Sequence, residues 1–221
     1  MSFECGRGKW RKSCRTSRVE PLDRAGHTYV VEPTDNLADI HRQALDATRR
    51  FVAGVGPDQW SRSTPCADWD VRALVNHVVS GNWWAAELAA GRSISEVGDR
   101  LDGDVLGDDP VGAYDASAAA AARVFSAPGA LDAPCAVSYG PVPGSVYAGH
   151  RIIDVLVHGW DIGTATGQDT VLDPALVEVC WRVVEPQADL LRGSGAFGAE
   201  VTMPAGADRQ TQLLATLGRR S

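Results

Sequence analysis

Asp154, His158 and Asp161 are spaced so that a helix would place all three on one face. A carboxylate one turn before a histidine can offer two ligands to one divalent metal ion, because side chains four residues apart on a helix are neighbours. His77, on the apolar face of another predicted helix, is a candidate third ligand. Three protein ligands with one open position are typical of catalytic zinc sites. These residue types indicate one metal ion held between two helices.

The same residues also have a structural interpretation. A histidine on an apolar face is more often a satisfied core residue than a ligand, and an Asp four residues before a His can be only a hydrogen-bonded pair. Asp161 could accept a hydrogen bond from the ring N–H of His158, or lie exposed near the helix end. Arg151 could bind a substrate carboxylate or form a surface ion pair. Spacing alone leaves metal binding and core packing both open.

Several other side chains have a chemical and a structural interpretation. Cys66 comes just before a helix N-terminus, where a thiol pKa is lowered, but free cysteines are usually buried. Trp83, Trp84 and Trp160 could wall an apolar pocket, although aromatic residues at helical spacing more often belong to the core. His41 has polar neighbours on its predicted helix, so we expect it at the surface.

The hydrophobic pattern predicts an all-α protein. The first helix spans about 35–54, and the second begins with Asp68 as N-cap and ends at Gly91. A third helix begins at Asp109-Pro110, 133–147 form a short hairpin or irregular excursion, and a fourth helix spans about 146–165. Extra C-terminal helices follow Asp173-Pro174 and surround 213–217. Long helices with short connections indicate an antiparallel bundle.

Charge divides the chain into two predicted parts. Residues 1–32 contain seven Lys or Arg and four acidic residues, a net +3, and read as a flexible basic extension. Residues 33–221, with 14 basic and 24 acidic residues and a net −10, read as one domain whose charge opposes nucleic-acid binding. The sequence has no apolar run of membrane-spanning length and no signal peptide, so a cytoplasmic protein without membrane partners is expected. A homodimer stays an open alternative.

Two segments carry a resemblance to a known family. Residues 64–79, TPCADWDVRALVNHVV, and 151–168, RIIDVLVHGWDIGTATGQ, are similar to two signatures of the mycothiol-dependent maleylpyruvate isomerase N-terminal family. This family belongs to the DinB-like superfamily of metal-binding four-helix bundles. Residues 213–219, LLATLGR, resemble the ending of an actinobacterial subgroup known only as metal-binding. The resemblance spans about residues 34–221 and implies a DinB-like antiparallel four-helix bundle.

The resemblance also implies a ligand set and a chemistry. By position, the divalent metal, usually zinc, would be held by His77, Asp154 and His158, with Asp161 and Arg151 as supporting or substrate-binding residues. Asp154 departs from the isomerase, which has a Glu; the shorter side chain must approach the ion more closely or bind it through water. The implied activity is a transferase or isomerase acting on an electrophilic small molecule with mycothiol as cosubstrate.

Two further interpretations accompany this activity. One is a non-catalytic regulator or interaction module stabilised by its metal, and the other is a bundle that has lost its ion. Whether the chain is an enzyme is therefore left open by the sequence.

Overall fold

Four long helices carry the fold in the computed structural model, which describes residues 36–188 and 201–220. They are α1 (Leu37–Ala53), α2 (Val71–Ala89), α4 (Pro110–Phe125) and α5 (Gly144–Thr166), with the short α3 (Ile94–Val97) after α2. An antiparallel hairpin of β1 (Pro134–Val137) and β2 (Gly140–Pro143) leads directly into α5, and α6 (Pro174–Val184), a 3-10 turn (Glu185–Gln187) and α7 (Arg209–Thr216) follow it. The predicted all-α bundle with a hairpin excursion and extra C-terminal helices is confirmed.

The limits of the predicted domain lie partly outside the described residues. The predicted basic extension, residues 1–32, falls entirely outside them, so the boundary between extension and domain stays a prediction.

Polar N-caps explain where the helices begin. Asn36, Asp70, Asp109, Asp173 and Asp208 each accept a backbone N–H from the first turn of the helix that follows. Asp68 is therefore not the N-cap of α2, as the sequence suggested. A turn closed by the Trp69 N–H and the Cys66 carbonyl, 2.9 Å apart, delays the helix by two residues. The same capping chemistry, a reciprocal pair of Ser93 and Glu96, starts the short α3 between Gly91 and Asp109, where the sequence pattern predicts no helix.

The central helix α5 is buried on all sides. Every residue from Arg151 to Gly163 is buried, and α1, α2 and α6 pack around this helix. Four of these residues are ionisable or charged: Arg151, Asp154, His158 and Asp161. Because a buried charge is costly unless it is paired, their partners determine what the helix can do. Despite its burial, neither α5 nor any other described helix has the length and apolar run needed to cross a membrane.

Helices α1 and α5 approach closely because two positions of α5 lack side chains. A Cβ on Gly159 would lie 2.6 Å from Oγ1 of Thr48, and one on Gly163 would lie 2.6 Å from ring atoms of Phe51. Thr48 also donates a hydrogen bond to the carbonyl of Val155 at 2.9 Å, across the same contact. Glycine is therefore required here for packing.

We expect Gly163→Ala to destabilise the protein by about 1–3 kcal/mol, the usual cost of overpacking a core. Gly149→Ala is the matched control on the same helix, because its nearest new neighbour would be Val183 at 3.9 Å. The control should leave stability unchanged or raise it by about 0.5–1 kcal/mol through helix propensity. Urea unfolding measures both, and equal losses in the two variants would contradict the packing argument.

Candidate metal centre

Helices α2 and α5 bring together the three ligands proposed from the sequence. Nε2 of His77 and Nε2 of His158 each lie 3.5 Å from Oδ1 of Asp154. One ligand atom from each residue lies within 4.8 Å of the other two, and the imidazole rings meet edge to face with centroids 5.0 Å apart. These three residues, His77, Asp154 and His158, are called the triad below, and their three donor atoms surround one point.

The spacing of these atoms fits a shared ion better than hydrogen bonds. A separation of 3.5 Å exceeds the usual 2.7–3.2 Å of an N–H···O bond. Two zinc–ligand bonds of about 2.0–2.1 Å at a tetrahedral angle would put the ligand atoms about 3.3–3.4 Å apart. Nε2 of His77 is buried and has no hydrogen-bond partner among the described residues. A divalent cation would satisfy this nitrogen, so the donor set fits zinc.

Arg151 holds the other oxygen of Asp154. Its Nη1 donates to Oδ2 of Asp154 at 2.7 Å, and its Nη2 donates to Asn82 at 3.1 Å. The arginine is only 1% exposed, so the surface ion pair considered from the sequence is excluded. Gly81 makes room for it, since a Cβ there would lie 2.6 Å from Nη1. Arg151 is therefore placed to orient Asp154, leaving Oδ1 for the histidine side.

The charges of the site follow from these contacts. Burial by itself would raise the pKa of Asp154, but the positive charge of Arg151, together with the contacts of His158 and His77, lowers this pKa far below its ordinary value. Asp154 is thus ionised at neutral pH. Burial lowers the pKa of His77 despite the nearby carboxylate. The imidazole ring is therefore neutral at neutral pH and has a lone pair available. A neutral histidine and an ionised carboxylate are the forms that bind metals.

Asp161 faces the far side of the His158 ring and is fully buried. Its Oδ2 lies 3.0 Å from Nδ1 of His158, so the buried acceptor considered from the sequence is the arrangement found, and the exposed aspartate is not. Burial raises the pKa of Asp161, but the hydrogen bond from His158 and the charge of Arg219 lower it overall. A proton on Nδ1 leaves the lone pair of His158 on Nε2, toward Asp154.

Cys66 and Arg219 complete a second cluster behind His158. The Cys66 thiol is buried, as expected, and lies 3.4 Å from Oδ2 of Asp161. Cys66, His158 and Asp161 also offer ligand atoms within 4.8 Å of one another. The guanidinium of Arg219, however, contacts Sγ at 3.4 Å and Oδ2 at 3.0 Å, so a cation already occupies this cluster. Sequence reasoning assigned no role to Arg219, although the segment 213–219 that resembles a metal-binding subgroup ends at this residue.

The most exposed of the three ligand side chains is His77, although its Nε2 atom is buried. The side chain of His77 is 18% exposed, against 10% for His158 and 2% for Asp154. The Trp69 ring lies against His77 with centroids 4.5 Å apart, and it borders a surface cleft of about 310 Å³. Among the described residues, this is the most exposed side of the three ligands.

His41 is buried, so its predicted surface position is wrong. Its ring packs edge-on against Phe125 of α4, with centroids 4.9 Å apart. Neither ring nitrogen has a hydrogen-bond partner among the described residues. Burial, reinforced by the charge of Arg151, lowers the pKa of His41 to about 3. Trp84 and Trp160 are buried in the core, as their helical spacing favoured.

Comparison with known proteins finds one matching family. Residues 41–163 match the model of the mycothiol maleylpyruvate isomerase N-terminal domain, a range that includes all three triad residues. The chain is 40% identical over 184 residues to two uncharacterised proteins of Mycobacterium tuberculosis, from strains CDC 1551 / Oshkosh and ATCC 25618 / H37Rv. Each alignment covers 81% of this chain and 95% of the relative. No solved structure matches.

We expect Arg151→Met to destabilise the metal-free protein by about 3–5 kcal/mol, because it leaves the buried carboxylate of Asp154 without its cation. Arg49→Met is the matched control. Arg49 also pairs with an aspartate, Asp115, at 2.7 Å, but both side chains are exposed. Its loss should be several times smaller. Urea unfolding in the presence of a chelator measures both variants, and similar losses would contradict the burial argument.

We expect His41→Leu to remove an acid sensitivity of the wild type. The folded state resists protonation of His41 down to about pH 3, whereas the unfolded chain binds that proton below about pH 6.5. The effect is absent above pH 7. Between about pH 6 and 4, the wild type should lose stability relative to the variant by about 1.4 kcal/mol per pH unit. The same difference in unfolding free energy between wild type and variant at pH 7 and at pH 5 would contradict this expectation.

Proposed function

The chain belongs to the mycothiol maleylpyruvate isomerase N-terminal domain family, and on this premise we propose that it binds one zinc ion through His77, Asp154 and His158 and uses it in small-thiol chemistry. The observation that carries the proposal is the buried Nε2 of His77. This nitrogen has no hydrogen-bond partner among the described residues and lies 3.5 Å from Oδ1 of Asp154, a separation suited to a shared ion.

The chain prepares each ligand in the form that a metal requires. Burial keeps His77 neutral, Arg151 keeps Asp154 ionised with Oδ1 available, and Asp161 accepts from Nδ1 of His158 so that Nε2 carries the lone pair. The shorter Asp154 side chain is compatible with direct ligation, because its Oδ1 is equally far from both imidazole nitrogens. Three ligands leave a fourth position for a substrate.

The charge of such a site favours an anionic substrate group. Two neutral histidines and one carboxylate leave a bound Zn²⁺ with a net charge of about +1, and the nearby Arg151 adds a further positive charge. Zinc bound there would lower the pKa of a coordinated thiol and hold it as a nucleophilic thiolate at neutral pH. Low-molecular-weight thiols, with mycothiol as the family's example, are therefore the proposed cosubstrates.

Two reactions with an electrophile are compatible with this arrangement. In an isomerase, the thiolate adds to a cis double bond, the resulting single bond rotates, and the thiol leaves. In an S-transferase, the thiolate displaces a leaving group or opens a ring and stays attached to the product. Both require the open fourth position, so the electrophile that is consumed distinguishes them.

Elemental analysis of protein purified without chelators tests the metal centre. We expect about one equivalent of zinc in the wild type and less than about a tenth in His77→Ala and His158→Ala, since each removes one of three ligands. His150→Ala is the matched control, because His150 lies on the same helix as His158 but bonds to Tyr139 outside the triad. It should keep its zinc.

Less than about a tenth of an equivalent in the wild type would contradict the proposal. If zinc is present, the zinc-loaded protein is incubated with mycothiol and an electrophile, and thiol consumption is compared with that of His77→Ala. Zinc binding without thiol chemistry would instead support the alternative drawn from the sequence, a non-catalytic helical module stabilised by its metal.

A further inference from the structure

We propose that Arg219 is a positioning residue for His158, which it controls through the carboxylate of Asp161. The C-terminal segment would thereby be part of the metal centre although it contributes no ligand. This inference rests on the proposed zinc site, because it concerns how firmly one of its three ligands is held.

The carboxylate of Asp161 contacts hydrogen-bond donors from three parts of the chain. Its Oδ2 lies 3.0 Å from Nδ1 of His158, 3.0 Å from Nη2 of Arg219 and 3.4 Å from Sγ of Cys66. Its Oδ1 lies 3.3 Å from Nε of Arg219, so the guanidinium binds both carboxylate oxygens. Asp161, Arg219 and Cys66 are all buried. Such an arrangement fixes the carboxylate in one orientation.

Arg219 is the charge that this arrangement requires. Among the described residues, the ion-pairing partners of Asp161 are His158 and Arg219. A His158 ring that binds a metal through Nε2 and donates from Nδ1 is neutral, so it cannot balance the charge of Asp161. An ionised carboxylate that is fully buried needs a cation nearby. In the metal-bound protein, Arg219 supplies it.

The position of Arg219 is determined by the end of α7. Its backbone N–H donates to the carbonyl of Leu214 at 2.8 Å, and its Nη1 donates to the carbonyl of Leu217 at 2.8 Å. Gly218 turns the chain with φ +80°, a conformation that side-chain-bearing residues rarely adopt. Leu213, Leu214 and Leu217 are fully buried in the main core. The packed end of α7 therefore fixes the position of the Arg219 guanidinium next to Asp161.

Loss of this cation would act on the metal through His158. Without Arg219, the Asp161 carboxylate would lose the two hydrogen bonds that fix its orientation, and a carboxylate that turns away accepts the Nδ1–H of His158 less well. The Nε2 lone pair of His158 would then be less firmly directed at the ion. Removal of a group that orients a metal-binding histidine typically weakens metal affinity by about 10- to 100-fold.

Zinc dissociation constants, measured on the full chain by competition with a chromophoric chelator, test this role. We expect Arg219→Gln to bind zinc about 10- to 100-fold more weakly than the wild type. Arg219→Lys keeps the charge but not the paired hydrogen bonds, so it should recover part of the loss. Arg220→Gln is the matched control, since it removes an adjacent but exposed arginine, and it should bind like the wild type.

A spectroscopic readout separates positioning from general destabilisation. In the cobalt-substituted protein, the visible absorption bands should shift in Arg219→Gln and stay unchanged in Arg220→Gln, because only the first alters the ligand geometry. If Arg219→Gln does not fold, Arg219→Lys decides, and wild-type zinc affinity together with wild-type cobalt bands in that variant would overturn the inference.

The two proposals fail in different ways. Tight zinc binding by the wild type with equal affinity in Arg219→Gln would overturn the role of Arg219 and leave the metal centre standing. Absence of zinc binding in the wild type would overturn the metal centre itself, and this inference with it. Weakening confined to the Arg219 variants would support both.

Discussion

The candidate site depends on one buried ion pair, Arg151 with Asp154, in the middle of the central helix. Both side chains are almost completely removed from water, at 1% and 2% exposure, so their separation would leave an uncompensated charge in the core. Their contact at 2.7 Å uses one carboxylate oxygen and directs the other toward the two histidines. The same guanidinium reaches Asn82 and lies against Gly81, both on α2. Its size therefore also limits how α2 and α5 can approach.

A second ion pair supports the site from the opposite end. Along α5, Arg151, Asp154, His158 and Asp161 follow one another at intervals of about one turn, and Arg219 closes the series from the C-terminal segment. His158 lies at the centre, with a carboxylate on each of its ring nitrogens and an arginine behind each carboxylate. Each arginine keeps its carboxylate ionised. This arrangement explains how four charged groups and a histidine can be buried together.

Helical periodicity predicts which residues share a face, and this was enough to propose Asp154, His158 and Asp161 as a group. It does not determine which helices face each other, so His77 joined the group firmly only through the resemblance of two segments to a known family. The burial of His41 depends on a neighbouring helix and was missed for the same reason. The N-cap of α2 was predicted at Asp68, two residues before the observed Asp70, because a local turn precedes the helix. The resemblance of residues 213–219 included Arg219 but did not predict its role, since that role arises from a contact with a residue 58 positions earlier.

The close contact between Gly81 and the guanidinium of Arg151 links two positions that are 70 residues apart in the chain. A Cβ at position 81 would lie 2.6 Å from Nη1 of Arg151, so the guanidinium would have to shift from its hydrogen bonds to Asp154 and Asn82. A shorter residue at position 151 would instead leave a void beside the glycine. A substitution at either position alone would therefore disturb the packing or leave the charge of Asp154 without its partner. Among homologous proteins, glycine at position 81 and arginine at position 151 should therefore be conserved or replaced together. Homologues that no longer bind the ion should show both replacements.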